Sequence, residues 1–150
     1  MYARDIKNKR DWLIDGGAFV SLVPPSHAQR TKGPNSQKLR AANGSSIDCY
    51  GEIVLDIHLG SRTFKHTLLI ADVKVSLLGA DFLAYHYLAP NHRDRTIIDL
   101  NDLSTLDAQI VSSPALAGPN VSYTGINHVN PATSDNDPYA QLLGRFPDIC

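Results

Sequence analysis

Apolar and polar positions alternate with a period of two through Ile53-Val54-Leu55-Asp56-Ile57-His58-Leu59, and the alternation resumes at Phe64, His66, Leu68 and Ile70. Residues two apart share one face of a strand, so the pattern predicts two half-buried strands. Gly60-Ser61 between them predicts a hairpin turn. Trp12, Ile14 and the stretch Phe19 to Val23 are short apolar runs bounded by glycines and Pro24-Pro25, again strand-like. Gln29 to Gln37 is polar and contains Gly33-Pro34-Asn35, which predicts a loop. Arg95 to Leu100 predicts a further strand, and Ala80 to Tyr87 is the one segment of this half that predicts a helix. The expected core comprises Leu13, Val20, Leu22, Ile53, Leu55, Ile70, Leu77, Leu78 and Phe82.

The character changes after about residue 108. Val111 to Pro138 is rich in Ser, Pro, Asn, Gly and Thr and has few large apolar side chains. Such a stretch buries too little surface to offset its ordering entropy, which predicts a flexible linker over 109–150. Within it, Asp137 as N-cap and Pro138 at the first helical position predict a short helix through Arg145.

Composition narrows the class. The 150 residues suffice for one domain with a real core. The net charge is −1 and no basic block appears, so no nucleic-acid footprint is expected. Lys7-Asn8-Lys9-Arg10 is the densest basic cluster and reads as a solvated hairpin turn. No apolar run approaches the roughly 20 residues that span a bilayer. Met1 to Asp11 lacks an apolar leader, so no membrane contact and a cytoplasmic location are expected. Cys49 and Cys150 read as free thiols. The six histidines show no metal-ligand spacing, and neither a metal nor a cofactor is expected. Asn43-Gly44-Ser45 and Asn120-Val121-Ser122 match a glycosylation acceptor by chance in a cytosolic chain.

The candidate chemistry lies in Leu13-Ile14-Asp15-Gly16-Gly17-Ala18. A carboxylate at the end of a buried strand is costly unless it is paired, hydrogen-bonded or used. Gly17 lets the backbone turn tightly, so that its N–H can point at the Asp15 carboxylate. A second apolar-apolar-Gly run follows 64 residues later at Leu77-Leu78-Gly79, with no acid before its glycine. Asp81, after that glycine, reads as a structural group at the opening of a helix rather than as a second catalytic acid.

Four segments, in this order and spacing, carry a family resemblance: Trp12 to Pro25, Leu39 to Glu52, Ile70 to Val73 and Leu77 to His86. Together they resemble the retropepsin-type aspartic protease domain of gypsy-like LTR retrotransposons, with Asp15-Gly16-Gly17 where the family has Asp-Thr/Ser-Gly. The tail, with Asp137 to Leu143 and Phe146 to Ile149, resembles the linker that leads to a reverse transcriptase in such polyproteins. The resemblance implies an all-β, closed barrel with one short helix over residues 1–108. It also implies a homodimer that cuts a peptide or polyprotein.

Peptide hydrolysis by this chemistry needs two carboxylates that share one proton, one activating water and the other protonating the leaving amine. One chain offers one such loop, so two copies of Asp15 must meet across a two-fold axis. The resemblance places Gly17 and Ala18 against substrate. It assigns Ala42, Asn43, Gly44 and Ser45 to a flap, the hairpin that closes over it. Gly16 lacks the hydroxyl that ties the two loops together in the family, a loss of about 1 kcal/mol per hydrogen bond. Two readings therefore remain: an aspartic endopeptidase, and a weakened or inactive retropepsin-like module that dimerises or binds peptide.

Overall fold

The computed structural model describes residues 1–113. Twelve elements follow one another there: β1 (Tyr2–Asp5), β2 (Arg10–Ile14), β3 (Leu22–Val23), α1 (His27–Lys32), β4 (Lys38–Arg40), β5 (Ser46–Leu59), β6 (Arg62–Ala71), β7 (Ser76–Leu78), α2 (Ala80–Tyr85), β8 (Leu88–Asn91), β9 (Thr96–Asp99) and β10 (Gln109–Val111). The helix expected at 137–145, most of the linker, Cys150 and the Asn120 acceptor lie outside the described residues.

The period-2 segments form the longest pair. β5 and β6 run antiparallel from Leu59↔Arg62 to Cys49↔Ala71. They are joined by Gly60-Ser61, with Gly60 at φ 63°, the first position of a two-residue loop. One residue too many on β5 shifts the register between Cys49 and Gly51, and Gly51 takes φ 121°. Eight strands join in the order β10-β1-β2-β7-β3-β6-β5-β4, and β8-β9 form a separate pair.

The expected closed barrel is not formed. The hydrogen-bonded order is open, ending at β10 and β4. What bridges β1 to β5 is a side chain: the buried Asp5 carboxylate accepts from His58 N–H at 2.9 Å. It also accepts from Asn8 N–H at 2.9 Å and from Asn8 Nδ2 at 2.8 Å.

Three further expectations are corrected. A second helix, α1, occupies His27–Lys32 inside the expected loop. Ser26 caps it through a reciprocal pair, with Gln29 N–H donating to Ser26 Oγ and Ser26 N–H to Gln29 Oε1. α2 ends at Tyr85 rather than Tyr87, which takes φ 56°. β10 pairs with β1, so the sheet continues past residue 108.

The main core gathers Trp12, Ile14, Ile57, Leu59, Phe64, Leu68, Leu78 and Phe82, and a smaller one holds Leu22, Cys49 and Ala71. Of the expected core, Leu22, Ile70, Leu78 and Phe82 are buried, while Leu13, Val20, Leu55 and Leu77 are half-buried. Ile53 is 37% exposed, because Glu52 to Val54 pair only with β6 where no described element lies over them.

Candidate functional site

Asp15 leaves the C-terminal end of β2, beside β7. The two strands pair in parallel as Trp12↔Ser76, Leu13↔Leu77 and Ile14↔Leu78, so the repeated apolar-apolar-Gly runs lie side by side at their own sequence offset. The ladder ends in Asp15 N–H donating to Leu78 C=O at 3.0 Å. Beyond it the chain turns: Ala18 N–H donates to Asp15 C=O at 3.2 Å, and Gly17 N–H reaches the Asp15 Oδ1 at 2.9 Å. The carboxylate is half-buried, with Gly16 and Gly17 exposed beside it.

Gly79 is the seat of this loop. A Cβ there would stand 2.6 Å from Ala18 O and 2.8 Å from Val20 O, so only glycine lets the strands approach. The next two residues continue the suspension: Ala80 N–H donates to Ala18 C=O at 2.7 Å and Asp81 N–H to Phe19 C=O at 3.2 Å. Gly16 is different. Its Cβ would meet only Leu83 Cδ1, at 3.9 Å, and its φ lies outside the left-handed region.

Sequence reasoning missed the group behind the loop. The buried Ser21 hydroxyl donates to Asp81 Oδ1 at 2.6 Å and accepts from Gly79 N–H at 2.9 Å. Asp81 also accepts from Phe82 N–H at 2.7 Å, and His66 Nε2 stands 3.3 Å from its Oδ2. Burial raises the Asp81 pKa, and the bonds from Ser21, His66 and Phe82 outweigh that, holding it below the ordinary carboxylate value. Asp81 is structural, as expected, though the helix N-cap itself is Gly79. The signal available was the polar Ser21 within the apolar run Phe19 to Val23.

Ala42, Asn43, Gly44 and Ser45 form the exposed tip of the β4–β5 hairpin. Ala41 N–H donates to Ser45 C=O at 2.8 Å and Gly44 N–H to Ala41 C=O at 2.9 Å. Gly44 alone takes positive φ, at 84°, so this is a three-residue loop rather than a two-residue Asn-Gly turn. Asn43 Oδ1 accepts from Ser45 N–H at 3.0 Å and Ser45 Oγ at 2.7 Å, which stiffens the tip. Asp15, Gly17 and Ala18 thus share one loop. Residues 42–45 make another, and no hydrogen bond links the two among the described residues.

The remaining acids are engaged in structure: Asp72 with Arg30 at 2.8 Å, Asp94 with Asn91, and the buried Asp99 with Arg62 and Asn101. Among the described residues no cluster of three or more His, Cys, Asp or Glu side chains could hold a metal ion.

No family model matches the chain. No curated protein is significantly similar to it. Solved structures do match. The retroviral protease-like domain of Ddi1 from Leishmania major aligns with a TM-score of 0.51 at 13% identity, covering 72% of this chain and 90% of that one. The EIAV protease, solved with the inhibitor HBY-793, aligns with a TM-score of 0.43 at 22% identity, covering 57% and 84%. An acid loop hung on a parallel strand, a glycine seat beneath it and a mostly β domain shared with the Ddi1 domain lead to one conclusion: residues 1–113 have a retropepsin-like fold.

Proposed function

We propose that this chain is an aspartic endopeptidase of a gypsy-type retroelement, acting as a homodimer on a polyprotein. The observation that carries the reading is the Asp15 loop: its carboxylate is oriented by Gly17 N–H and hung from β7 through Leu78 and Gly79. Two such carboxylates, one from each copy, share a proton. One takes a proton from water as it attacks the peptide carbonyl, and the other protonates the departing amine. Gly17 and Ala18 border substrate, and the hairpin tip 42–45 closes over it. Phe19, 88% exposed next to the loop, offers an apolar surface to a second copy or to substrate. A retroelement product of this kind is made in the cytoplasm, and its tail leads toward a reverse transcriptase region.

Gly16 weakens the pairing of the two loops without removing a carboxylate. A threonine at 16 fits the space around it, with only Leu83 Cδ1 near its Cβ. The test compares wild type, Asp15→Asn and Gly16→Thr for cleavage of a polyprotein-like peptide and for association state. Activity is expected to rise with protein concentration, to vanish in Asp15→Asn and to increase in Gly16→Thr together with dimer affinity. Wild-type cleavage by Asp15→Asn defeats the assignment. Dimers of wild type and Gly16→Thr that are both inert leave a peptide-binding or dimerisation module instead.

A further inference from the structure

Arg10 opens β2 opposite Asp5 in the β1–β2 ladder. A guanidinium beside a carboxylate ordinarily pairs with it. Here the carboxylate is already occupied. Asp5 Oδ1 accepts from Asn8 N–H, and Oδ2 accepts from both Asn8 Nδ2 and His58 N–H. Arg10 Nη1 is buried and has no hydrogen-bond partner. The guanidinium lies over the Trp12 ring, with Cζ 5.3 Å from the centroid, an arrangement that fixes its plane. Burial lowers the Arg10 pKa, and the Asp5 charge offsets part of that.

Arg10 also lines a groove of about 360 Å³ whose other walls include Val23, Pro25, Ile53, Leu55 and Ile70. It is the single charged residue of that lining. The polar Gln29 at the rim is engaged, its Oε1 accepting from Ser26 N–H. The groove therefore combines apolar surface with one cation that lacks an acceptor. It lies away from Asp15: five residues of extended chain separate Arg10 from Asp15, roughly 16 Å.

We propose that this groove binds an extended segment of a partner protein in which an aspartate or glutamate side chain sits next to an apolar one. The carboxylate accepts from Arg10, and the apolar neighbour lies against Ile53, Leu55 and Ile70. Three features fit this occupant. A donor already removed from water gains most from a charged acceptor. A guanidinium held flat presents its fork to a planar carboxylate. A phosphate would bring two charges to one cation in an apolar groove, a poorer match. The same contact covers Ile53, the large apolar side chain that the fold leaves open beside the groove. The proposal does not depend on peptidase activity.

Trp12 is the chain's one tryptophan and lies against Arg10, so its fluorescence reports on this site. The test titrates the full chain with two blocked peptides, acetyl-Val-Glu-Val-Ile-amide and its Gln counterpart, by fluorescence and by calorimetry. The Glu peptide is expected to saturate and to bind about tenfold more tightly than the Gln peptide. Arg10→Met should erase that difference, and Arg10→Lys, which keeps the charge without the fork, should retain part of it. Equal affinity for the two peptides, no binding up to about 1 mM, or a Glu preference that survives Arg10→Met overturns the proposal. If Arg10→Met does not fold, the two peptides on wild type and Arg10→Lys still decide.

Discussion

The Ser21 hydroxyl accepts the Gly79 N–H at 2.9 Å and so ties the strand that follows the acid loop to the glycine on which that loop rests. Its own proton goes to Asp81 Oδ1 at 2.6 Å. One buried hydroxyl thereby satisfies a donor and an acceptor on the segment 79–81, the segment whose backbone suspends Ala18 and Phe19.

Removing that hydroxyl leaves the Gly79 N–H buried without a partner. Ser21→Ala is expected to cost roughly 1–3 kcal/mol. Urea unfolding of the two proteins measures it. A loss below a few tenths of a kcal/mol means that another acceptor reaches Gly79.

The two glycines near the acid differ in what a methyl group would meet. Gly79→Ala drives Cβ into the carbonyl oxygens of Ala18 and Val20 and should cost about 1–3 kcal/mol or prevent folding. Gly16→Ala meets open space at an ordinary φ and should be neutral or gain about 0.4–1 kcal/mol through the unfolded chain. Thermal melts of both variants test the contrast, and equal shifts would contradict it.

Acid should destabilise the domain in two steps. Burial, with the charges of His66 and Arg62, lowers the His86 pKa, so below about 6.5 the unfolded chain takes up a proton that the folded one refuses. Stability falls with pH from there down to the folded value. Asp81 is also lowered, so its contribution is complete above about 3.9 and is lost as pH falls through its folded value. Asp99, Asp102 and Asp107, lowered by hydrogen bonds from Asn101, Ser104 and Ser61, act in the same direction. Urea midpoints between pH 8 and pH 3 should show both steps. His86→Phe, which suits the ring contacts to Phe64 and Phe82, should flatten the first. Asp81→Asn should shrink the second. A midpoint constant from pH 7 to pH 5 rules out the first step.

Asp5 accepts three hydrogen bonds and donates none, so an amide cannot replace its carboxylate. Whichever way the amide of the Asp5→Asn variant points, its NH2 group faces an N–H of Asn8 or His58. Asp5→Asn is expected to lose roughly 1–3 kcal/mol, about as much as Asp5→Ala. An Asp5→Asn protein as stable as wild type would show that the contact to His58 is dispensable.

The β5–β6 hairpin was readable because alternation of Leu55, Ile57 and Leu59 with Asp56 and His58 fixes both strand and buried face. The acid loop was readable because Leu13-Ile14 and Leu77-Leu78 announce two strands of one kind. Ile53 continues the same alternation yet faces solvent, since periodicity tells which side of a strand is apolar and not how far along it the cover extends. α1 carried its own sign, the Ser26-x-x-Gln29 capping box, overshadowed by Gly33-Pro34-Asn35 just after it. β10 spans three residues in a polar stretch and exists through its partner β1, so local composition could not reveal it. Nothing local sets Asp5 apart from an ordinary turn acid, and its value comes from His58, 53 residues away.

Leu55, Ile57 and Leu59 pack on the main core, and Cys49, also an odd-numbered residue of β5, packs with Leu22 and Ala71 in the other. An unbroken strand keeps all odd positions on one side. The supernumerary residue between Cys49 and Gly51 acts as a phase inverter, reversing the parity of everything on its N-terminal side. Through it, one continuous strand addresses two cores and aims the 42–45 tip. Chain length in this region is therefore counted in twos. A deletion of Tyr50 alone alters no other side chain, yet it would turn Cys49 from its core and present the opposite face of the hairpin, whereas loss of two neighbouring residues would shorten the arm and leave its orientation intact.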